Sequence, residues 1–367
     1  MRTAQPKHIS LIELFGFVIQ TVIGIGVLSL PYTIFSESKT DAWISVLLAG
    51  FVSSINIWVI LRLSRKFPSL HLYEYLPVLL GKYLSKIVTV GYILFFLSIS
   101  YLILIIFGGT ISKWVLPRTP PWAIYFLLVA TSIYLARENL NVIARFCLLT
   151  SVIFPVLIGL MLVPLINSNF LYLFPIGQTE FESIINGARK TTFSIIGYEL
   201  LLIIYPYVSG SDKNIIKVTY LSYLFVTIFY CFLVLTSVVF FSSGELGQIP
   251  EPILYMLKSF SFRVIERIDL LFLSIWIVAV ITSFVNYLYA ASVGMKHLFR
   301  QTDHKKAALF GGAVCFCLAL YPLDPFVLKD INDYISKAAL VFVSAVPFIL
   351  LLISYFIKNR VDEKMSE

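Results

Sequence analysis

The sequence predicts an all-α membrane protein with ten transmembrane helices, arranged as two inverted five-helix repeats in which helices one and six are broken. Three observations lead to this fold class. The 367 residues are 59% hydrophobic and only 13% charged, which is more apolar than a soluble domain needs to be. Apolar runs of about 18 or more residues recur from end to end, and each can cross a bilayer. Glycine and proline interrupt the first and the sixth of these runs.

Ten apolar segments occupy most of the chain. They run roughly over residues 9–35, 42–61, 87–112, 121–136, 142–166, 187–207, 215–242, 267–295, 306–322 and 337–357. Because no polar stretch between them is long enough for a second folded unit, we expect a single integral membrane domain over residues 1–367. Repeat one covers about 9–166 and repeat two about 187–357, and an odd number of crossings in each makes the repeats run in opposite directions.

The distribution of Lys and Arg predicts the orientation of the segments. With ten crossings both termini lie on one side, and that side carries 18 of the 28 Lys and Arg residues. Since basic loops remain in the cytoplasm, we expect both termini to be cytoplasmic in a multi-pass protein of the cell membrane. The formal net charge of +8 is then explained by contact with anionic membrane lipid, and we expect no nucleic-acid partner.

Two connecting loops carry enough apolar residues to be structured. Residues 65–84 mix basic and apolar side chains, which predicts a short interfacial helix on the inner face. Residues 245–264 contain an apolar stripe from Ile253 to Phe262, and we expect this segment to lie on the outer surface.

Residues that carry chemistry are few. The cysteines lie inside apolar segments, the histidines lie at the inner surface, and neither set has the spacing of a metal site. They are Cys147, Cys231, Cys315 and Cys317, and His8, His71, His297 and His304. The glycines at 24 and 26 lack the preceding strand of a dinucleotide-binding loop. We therefore expect a protein that is not an enzyme and that binds no cofactor or metal.

Helix one contains Gly24 and Gly26, followed by Pro31. Two glycines weaken a helix, and a proline removes a backbone donor. In lipid, freed backbone groups are tolerated only where they line a cavity or meet protein, so the pattern predicts unwinding near Gly24–Gly26. The alternative is a close-packing face for another helix.

Helix six repeats the pattern, with Gly197 in the middle of the segment, Glu199 after it and Pro206 at its end. Broken helices at matching positions of two inverted repeats indicate a binding site near the midplane. The N-termini of half-helices present free N–H groups and the positive end of a dipole, which suits a ligand carboxylate.

Glu199 is the most informative single residue, because an ionised carboxylate at membrane depth is costly unless it faces a cavity or a partner. One interpretation is a contact with a ligand ammonium group, or a gate that takes up a proton. The other is a protonated side chain that caps freed backbone groups. Glu13 lies only about one turn inside helix one, which favours an interfacial role.

Two pairs of residues share helix faces in the remaining segments of interest. Tyr92 and Phe96 are four residues apart in helix three, and Ser283 and Tyr287 are four apart in helix eight. Aromatic and hydroxyl side chains at this spacing are typical of helix packing as well as of ligand binding.

Several short motifs occur in a fixed order along the chain. They are Gly24-x-Gly26-x-Leu28-x-Leu30-Pro31, Pro68-Ser69, Glu74-Tyr75-Leu76, Leu80-Gly81-Lys82, Arg118-Thr119-Pro120, Gly197-Tyr198-Glu199, Ile265-Glu266-Arg267 and Trp276. Together they resemble the spore germination permease family, the B-type subunits of nutrient germinant receptors. That family belongs to the amino acid–polyamine–organocation superfamily.

The resemblance implies a transporter-like fold, a location in the spore inner membrane and a role in sensing nutrients. It implies A-type and C-type germinant receptor subunits as partners and a small nutrient, such as an amino acid, as the ligand. In the superfamily, helices one, three, six and eight surround the ligand. The candidate ligand-binding residues are therefore Gly24, Gly26, Tyr92, Phe96, Ile196, Gly197, Tyr198, Glu199, Ser283 and Tyr287.

One departure from the family pattern prevents a closer assignment. Some relatives carry an acidic residue in helix three, where this chain has Ser100. The identity of the nutrient therefore does not carry over.

Three functions are compatible with these features. The first is a germinant-sensing subunit that binds a nutrient at the midplane and triggers germination with ion release. The second is a proton-coupled amino acid transporter with Glu199 as the proton carrier. The third is a scaffold whose pocket is vestigial. Ligand uptake into vesicles separates the second from the first, and germination that survives every pocket substitution favours the third.

We expect cysteines introduced at Ala4 or Met365 to react with a membrane-impermeant maleimide only from the cytoplasmic side, because the basic loops place both termini there. The measurement compares labelling of intact and permeabilised cells, in a chain whose four native cysteines are replaced by alanine. Labelling of either position from outside would contradict the ten-segment topology.

Overall fold

The computed structural model describes residues 8–261 and 266–356, and within them the secondary structure is helical except for one isolated bridge between Ile9 and Val208. The α-helices are α1 Leu11–Val22, α2 Gly26–Ser38, α3 Ala42–Ser64, α4 Leu72–Trp114, α5 Pro121–Ala136, α6 Leu140–Ser151, α7 Phe154–Leu162, α8 Phe181–Ser194, α9 Leu201–Ile204, α10 Asp212–Phe240, α11 Ser243–Leu246, α12 Pro252–Lys258, α13 Ile268–Leu298, α14 Lys305–Ala319, α15 Pro325–Ala339 and α16 Val346–Phe356. Both termini lie outside the described residues, and so does the prediction of the side on which they lie. Ile265, which belongs to one of the sequence motifs, also lies outside them.

Six helical stretches in the described part of the chain are long and apolar enough to cross a membrane, counted across the short turns that join consecutive helices. They are Gly26–Ser64, Leu72–Trp114, Leu140–Asn167, Asp212–Phe240, Ile268–Leu298 and Phe326–Phe356. The helices α1 and α5 are apolar but shorter. By length and composition the chain is therefore a helical membrane protein.

Each of the ten predicted segments contains helix. That all ten cross the membrane, and that they form two inverted repeats, stay predictions. The chain is interrupted between α1 and α2 and between α8 and α9, as the glycines indicated. Two further interruptions were not predicted. Segment five turns between α6 and α7, next to Pro155, and the last segment contains a π-helix at Leu340–Ala345 between α15 and α16.

The helix α4 joins two elements that the sequence analysis treated separately. Its first residues lie where an interfacial helix was predicted, and its remainder is the third apolar segment. The two parts meet at Gly81, whose φ of 72° is a left-handed conformation that glycine adopts without steric cost. The kink thus redirects the chain from the loop into the bundle.

The loop predicted on the outer surface packs against the protein, and the side of the membrane on which it lies stays a prediction. Its helix α12 contacts α2, α10 and α13, and the four apolar residues Ile253, Leu254, Met256 and Leu257 are fully buried. Burying this stripe removes apolar surface from water, which the sequence pattern alone did not reveal. Phe262, the predicted end of the stripe, lies outside the described residues.

The start of the first segment is tied to the end of the sixth. The amide of Ile9 donates to the carbonyl of Tyr207 at 2.8 Å, and the amide of Ser209 donates back to the carbonyl of Ile9 at 2.8 Å. Both broken segments are therefore anchored to each other at one end of the bundle.

The helices α1 and α6 are in close contact at Gly16. A Cβ at this position would lie 2.6 Å from the Cα of Leu148, a backbone atom that cannot rotate away. A small residue here lets the two backbones touch, as in other membrane helix pairs.

We expect Gly16→Ala to reduce the free energy of unfolding by about 1–3 kcal/mol, because the added methyl overlaps the α6 backbone and forces the helices apart. The matched control is Gly109→Ala on α4, where a Cβ meets no atom within 4 Å. Thermal unfolding of both purified variants in detergent provides the comparison. Equal unfolding midpoints would show that the contact between α1 and α6 is not tight.

Candidate functional site

The break in the first segment frees backbone carbonyls that side chains of two other helices satisfy. The chain leaves the helical conformation at Ile23, which is extended with φ −82° and ψ 99°. Three carbonyls near the break accept hydrogen bonds from side chains of α10 and α13. The pairs are Ser283 Oγ to Thr21 O at 2.9 Å, Tyr230 OH to Val22 O at 3.3 Å and Trp276 Nε1 to Gly24 O at 3.1 Å.

The break in the sixth segment lies directly against the first. Gly197 has φ 133°, a conformation that side chains rarely permit. A Cβ at Gly197 would lie 3.0 Å from Cγ2 of both Thr21 and Val22. The hydroxyl of Tyr223 donates to the carbonyl of Ile195 at 3.4 Å. Glycine is therefore required both by the backbone angle and by the contact between the two breaks.

Glu199 is fully buried where the breaks meet. Its Oε2 accepts from the amide of Gly197 at 2.7 Å, and its Oε1 accepts from the hydroxyl of Tyr287 at 3.0 Å. A backbone amide can only donate, so the carboxyl accepts here and caps a freed N–H group of the break.

The breaks contain a buried carboxylate, Glu199, but no buried basic side chain among the described residues. Among the residues that the structure describes, the buried carboxylates are Glu13, Asp41, Glu199 and Asp269, and no Lys or Arg is buried. An ammonium group is the ligand chemistry that such a carboxylate without a neighbouring cation would take. Glu13 accepts from Ser10 and Arg145 at the start of α1, away from the breaks, and its interfacial role stays a prediction.

A row of aromatic rings extends from Tyr287 towards the last segment. The ring of Phe96 lies 6.1 Å from that of Tyr287, and the ring of Tyr92 lies 5.8 Å from that of Phe96. The hydroxyl of Tyr92 donates to the carbonyl of Phe342, inside the π-helix, at 2.8 Å. Tyr92 therefore contacts the last segment directly and is joined to Tyr287 through the ring of Phe96.

The structure brings together nearly all of the predicted site residues. Gly24, Gly197, Glu199, Ser283 and Tyr287 take part in the contacts between the breaks. Gly26 adjoins Ser194, with a Cβ there 3.0 Å from the Ser194 Cβ.

The remaining candidates surround this centre. Ile196 and Tyr198 are buried in the second break, and the hydroxyl of Tyr198 accepts from Asn56 Nδ2 at 3.3 Å. Phe96 and Tyr92 follow outward. A ligand-binding role for each of these residues stays a prediction.

Three residues at the breaks were not among the predicted site residues, although the sequence carries a signal for them. Tyr223 and Tyr230 are seven residues apart and share one face of α10. Trp276 precedes Ser283 by seven residues on α13. Tyrosine and tryptophan with their polar atoms buried require hydrogen-bond partners, and the broken helices supply them.

A second polar layer joins α1 to α13 beside the first break. Thr282 Oγ1 donates to Gln20 Oε1 at 2.7 Å, and Asn286 Nδ2 donates to Thr21 Oγ1 at 2.7 Å. Hydrogen bonds of this kind hold membrane helices together. The layer fixes α1 against α13 just before the chain unwinds.

Comparison with known proteins gives a consistent set of relatives. A family model described as spore germination protein matches residues 8–327. Spore germination protein YndE of Bacillus subtilis (strain 168) is 27% identical over 350 residues, which cover 93% of this chain and 95% of that protein. Spore germination protein A2 of the same organism is 26% identical over 98% of both chains.

Two further similarities extend this set. Spore germination protein GerQB of Bacillus cereus is 28% identical over 290 residues, or 77% of this chain and 78% of that protein. Among solved structures, the substrate-bound outward-open state of a Na⁺-coupled sialic acid symporter has a TM-score of 0.70. At 13% identity, with 92% of this chain and 77% of that chain covered, this likeness concerns the fold alone: the fold is that of a transporter.

We expect Glu199→Gln to keep nearly parental stability, because its carbonyl can accept from Gly197 and its amide can donate to the Tyr287 oxygen. Glu199→Leu leaves both groups buried without a partner, at a cost of about 1–3 kcal/mol for each. Thermal unfolding of the two purified variants measures the difference. A Leu variant as stable as the Gln variant would show that Glu199 does not support the break.

Proposed function

The chain belongs to the spore germination permease family, and from that premise we propose that it is the nutrient-sensing membrane subunit of a spore germinant receptor. It binds a small nutrient, such as an amino acid, between the two broken helices and triggers germination with ion release. It acts by binding and conformational change rather than as an enzyme.

One observation carries this proposal: a single buried carboxylate lies where two helix breaks touch. Glu199 is held there by Gly197 and Tyr287, with no buried Lys or Arg among the described residues. An amino acid matches this arrangement at both ends. Its ammonium group pairs with Glu199, and its carboxylate meets the free N–H groups where α2 begins at Gly26.

Binding requires local rearrangement, because the present side chains already occupy the hydrogen-bonding groups. The ammonium group takes the place of the Tyr287 hydroxyl on Glu199, and the freed hydroxyl can then face the ligand. Exchanging one internal hydrogen bond for one to the ligand costs little free energy, so a small nutrient can shift the balance between two arrangements.

The topology we propose has ten crossings in two inverted repeats within one domain, with both termini cytoplasmic in the spore inner membrane. Support comes from the excess of basic residues on one side, from the two broken segments and from a solved transporter of similar fold. We also propose that the chain works with A-type and C-type receptor subunits, as the resemblance to B-type subunits implies.

A proton-coupled amino acid transporter is the second candidate, and the transporter-like fold favours it specifically. Both functions use the same carboxylate, but only a transporter moves the nutrient across the membrane. Uptake of radiolabelled amino acids into vesicles that contain this chain alone separates the two. Accumulation that follows an imposed proton gradient would favour the transporter.

We expect Glu199→Gln to weaken the nutrient response about tenfold or more, since a lost hydrogen bond to a charged group is worth about 1.5–3 kcal/mol. Glu199→Asp keeps the charge and should retain part of the response. The matched control is Glu182→Gln, an exposed carboxylate on α8, which should respond as the parent does.

The assay uses spores that lack their own copy of this subunit and carry each variant at verified abundance. A mixture of the twenty amino acids serves as the nutrient, and the fall in optical density measures germination. Parental sensitivity of the Gln variant would remove Glu199 from ligand recognition and favour a purely structural role.

A further inference from the structure

A cavity of about 440 Å³ lies at the end of α13, far from the helix breaks. It opens on the side of the bundle that the basic loops predict to be cytoplasmic. The start of α4 contributes His71 and Glu74, and the end of α13 with the turn after it contributes Lys296, His297, Arg300 and Gln301. The cavity is thus built between the two long helices that also carry Phe96 and Tyr287.

Two permanent cations face this cavity without a partner. Neither Lys296 nor Arg300 forms an ion pair with any residue that the structure describes. The carboxylate in the cavity, Glu74, is already engaged: its Oε2 accepts from the His71 amide at 3.0 Å, and its Oε1 lies 3.4 Å from His71 Nε2. The cavity therefore has an excess of positive charge.

The backbone gathers these cations by a tight turn. The helix α13 ends at Leu298, Arg300 has a φ of 52°, and the amide of Gln301 bonds back to the carbonyl of Lys296 at 3.0 Å. This turn brings Lys296, Arg300 and Gln301 to one cavity although they span more than one helical turn.

His71 and His297 add hydrogen-bonding groups to the cavity, and His71 adds no charge near pH 7. Their rings lie 6.3 Å apart. Burial, with His297 and Lys296 close by, lowers the pKa of His71 to about 3, so that its imidazole is neutral near pH 7. Tyr73 and Glu74 also face this imidazole. The permanent cations of the cavity are accordingly Lys296 and Arg300, and its carboxylate is Glu74.

We propose that this cavity is a binding site for a phosphoryl oxyanion, either the phosphate of an anionic lipid headgroup or a soluble phosphate. The guanidinium of Arg300 offers a planar fork for two phosphate oxygens, and Lys296 supplies a point charge. The side-chain amide of Gln301 and the imidazoles of His71 and His297 can donate further hydrogen bonds. The volume exceeds that of a bare phosphate, which leaves room for the group that the phosphate esterifies.

A bound phosphate would link the start of α4 to the end of α13. Tyr287 precedes His297 by ten residues, which is about 15 Å along the helix. The site is therefore separate from the nutrient site yet lies on the same helix. An anion that holds the two helices together stabilises the arrangement in which it binds.

The test uses the purified full-length chain in two arms. In detergent, inorganic phosphate is titrated against chloride of equal ionic strength by isothermal calorimetry. In lipid nanodiscs, phosphatidylglycerol is compared with phosphatidylcholine, and the lipids that remain bound are counted by native mass spectrometry. Each arm compares the parent with the double variant Lys296→Gln/Arg300→Gln and with the control Lys305→Gln/Lys306→Gln, which removes the same charge from two exposed positions on α14.

We expect the cavity variant to lose at least about tenfold in affinity in one arm or both, since each charged hydrogen bond contributes about 1.5–3 kcal/mol. The control should bind as the parent does. Loss in the first arm identifies soluble phosphate, and loss in the second identifies the lipid headgroup. Thermal unfolding without phosphate verifies that both variants are folded. The proposal is overturned if the parent binds neither probe above its reference, or if the cavity and control variants behave alike.

Discussion

Backbone groups that are freed at membrane depth must line a cavity or find partners within the protein, because lipid offers them no hydrogen bonds. This requirement governs how the bundle is assembled around its two breaks. The long helices α10 and α13 carry tyrosine, tryptophan and serine side chains whose polar atoms meet the freed carbonyls, and Glu199 meets a freed amide. The helices α10 and α13 thus hold the two broken segments in place through side-chain hydrogen bonds.

In the function proposed here, the same hydrogen bonds allow the breaks to respond to a ligand. A continuous helix has no backbone groups to offer a ligand, whereas here Gly197, Thr21 and Gly24 are held by side chains that can rotate away. Replacing one side-chain partner by a polar ligand conserves the number of hydrogen bonds, so the net change in free energy is small. If the chain binds a nutrient as proposed, a ligand of modest affinity is enough to select between two arrangements of the broken helices and of α10 and α13.

The sequence predicted the positions of the breaks because glycine and proline act locally, through backbone angles and a missing donor. The sequence also predicted that Glu199 lies at the second break, because a carboxylate beside a mid-segment glycine stands out in an apolar segment. Tyr223 and Tyr230 were missed because tyrosine is common in apolar helices, and only the tertiary arrangement shows which hydroxyl meets a freed carbonyl. The packing of α12 was missed for a similar reason. An apolar stripe indicates that a helix face is covered, but it does not show which other helices cover that face.

The most direct test of this account follows amide exchange at the two breaks. Hydrogen–deuterium exchange is measured on the chain in lipid nanodiscs, with and without an amino acid mixture shown to trigger germination of spores that carry it. The account predicts that exchange changes in peptides covering residues 21–26 and 195–200, while peptides from α6 stay as they were. Unchanged exchange at both breaks in the presence of that mixture would contradict the claim that they form the nutrient site.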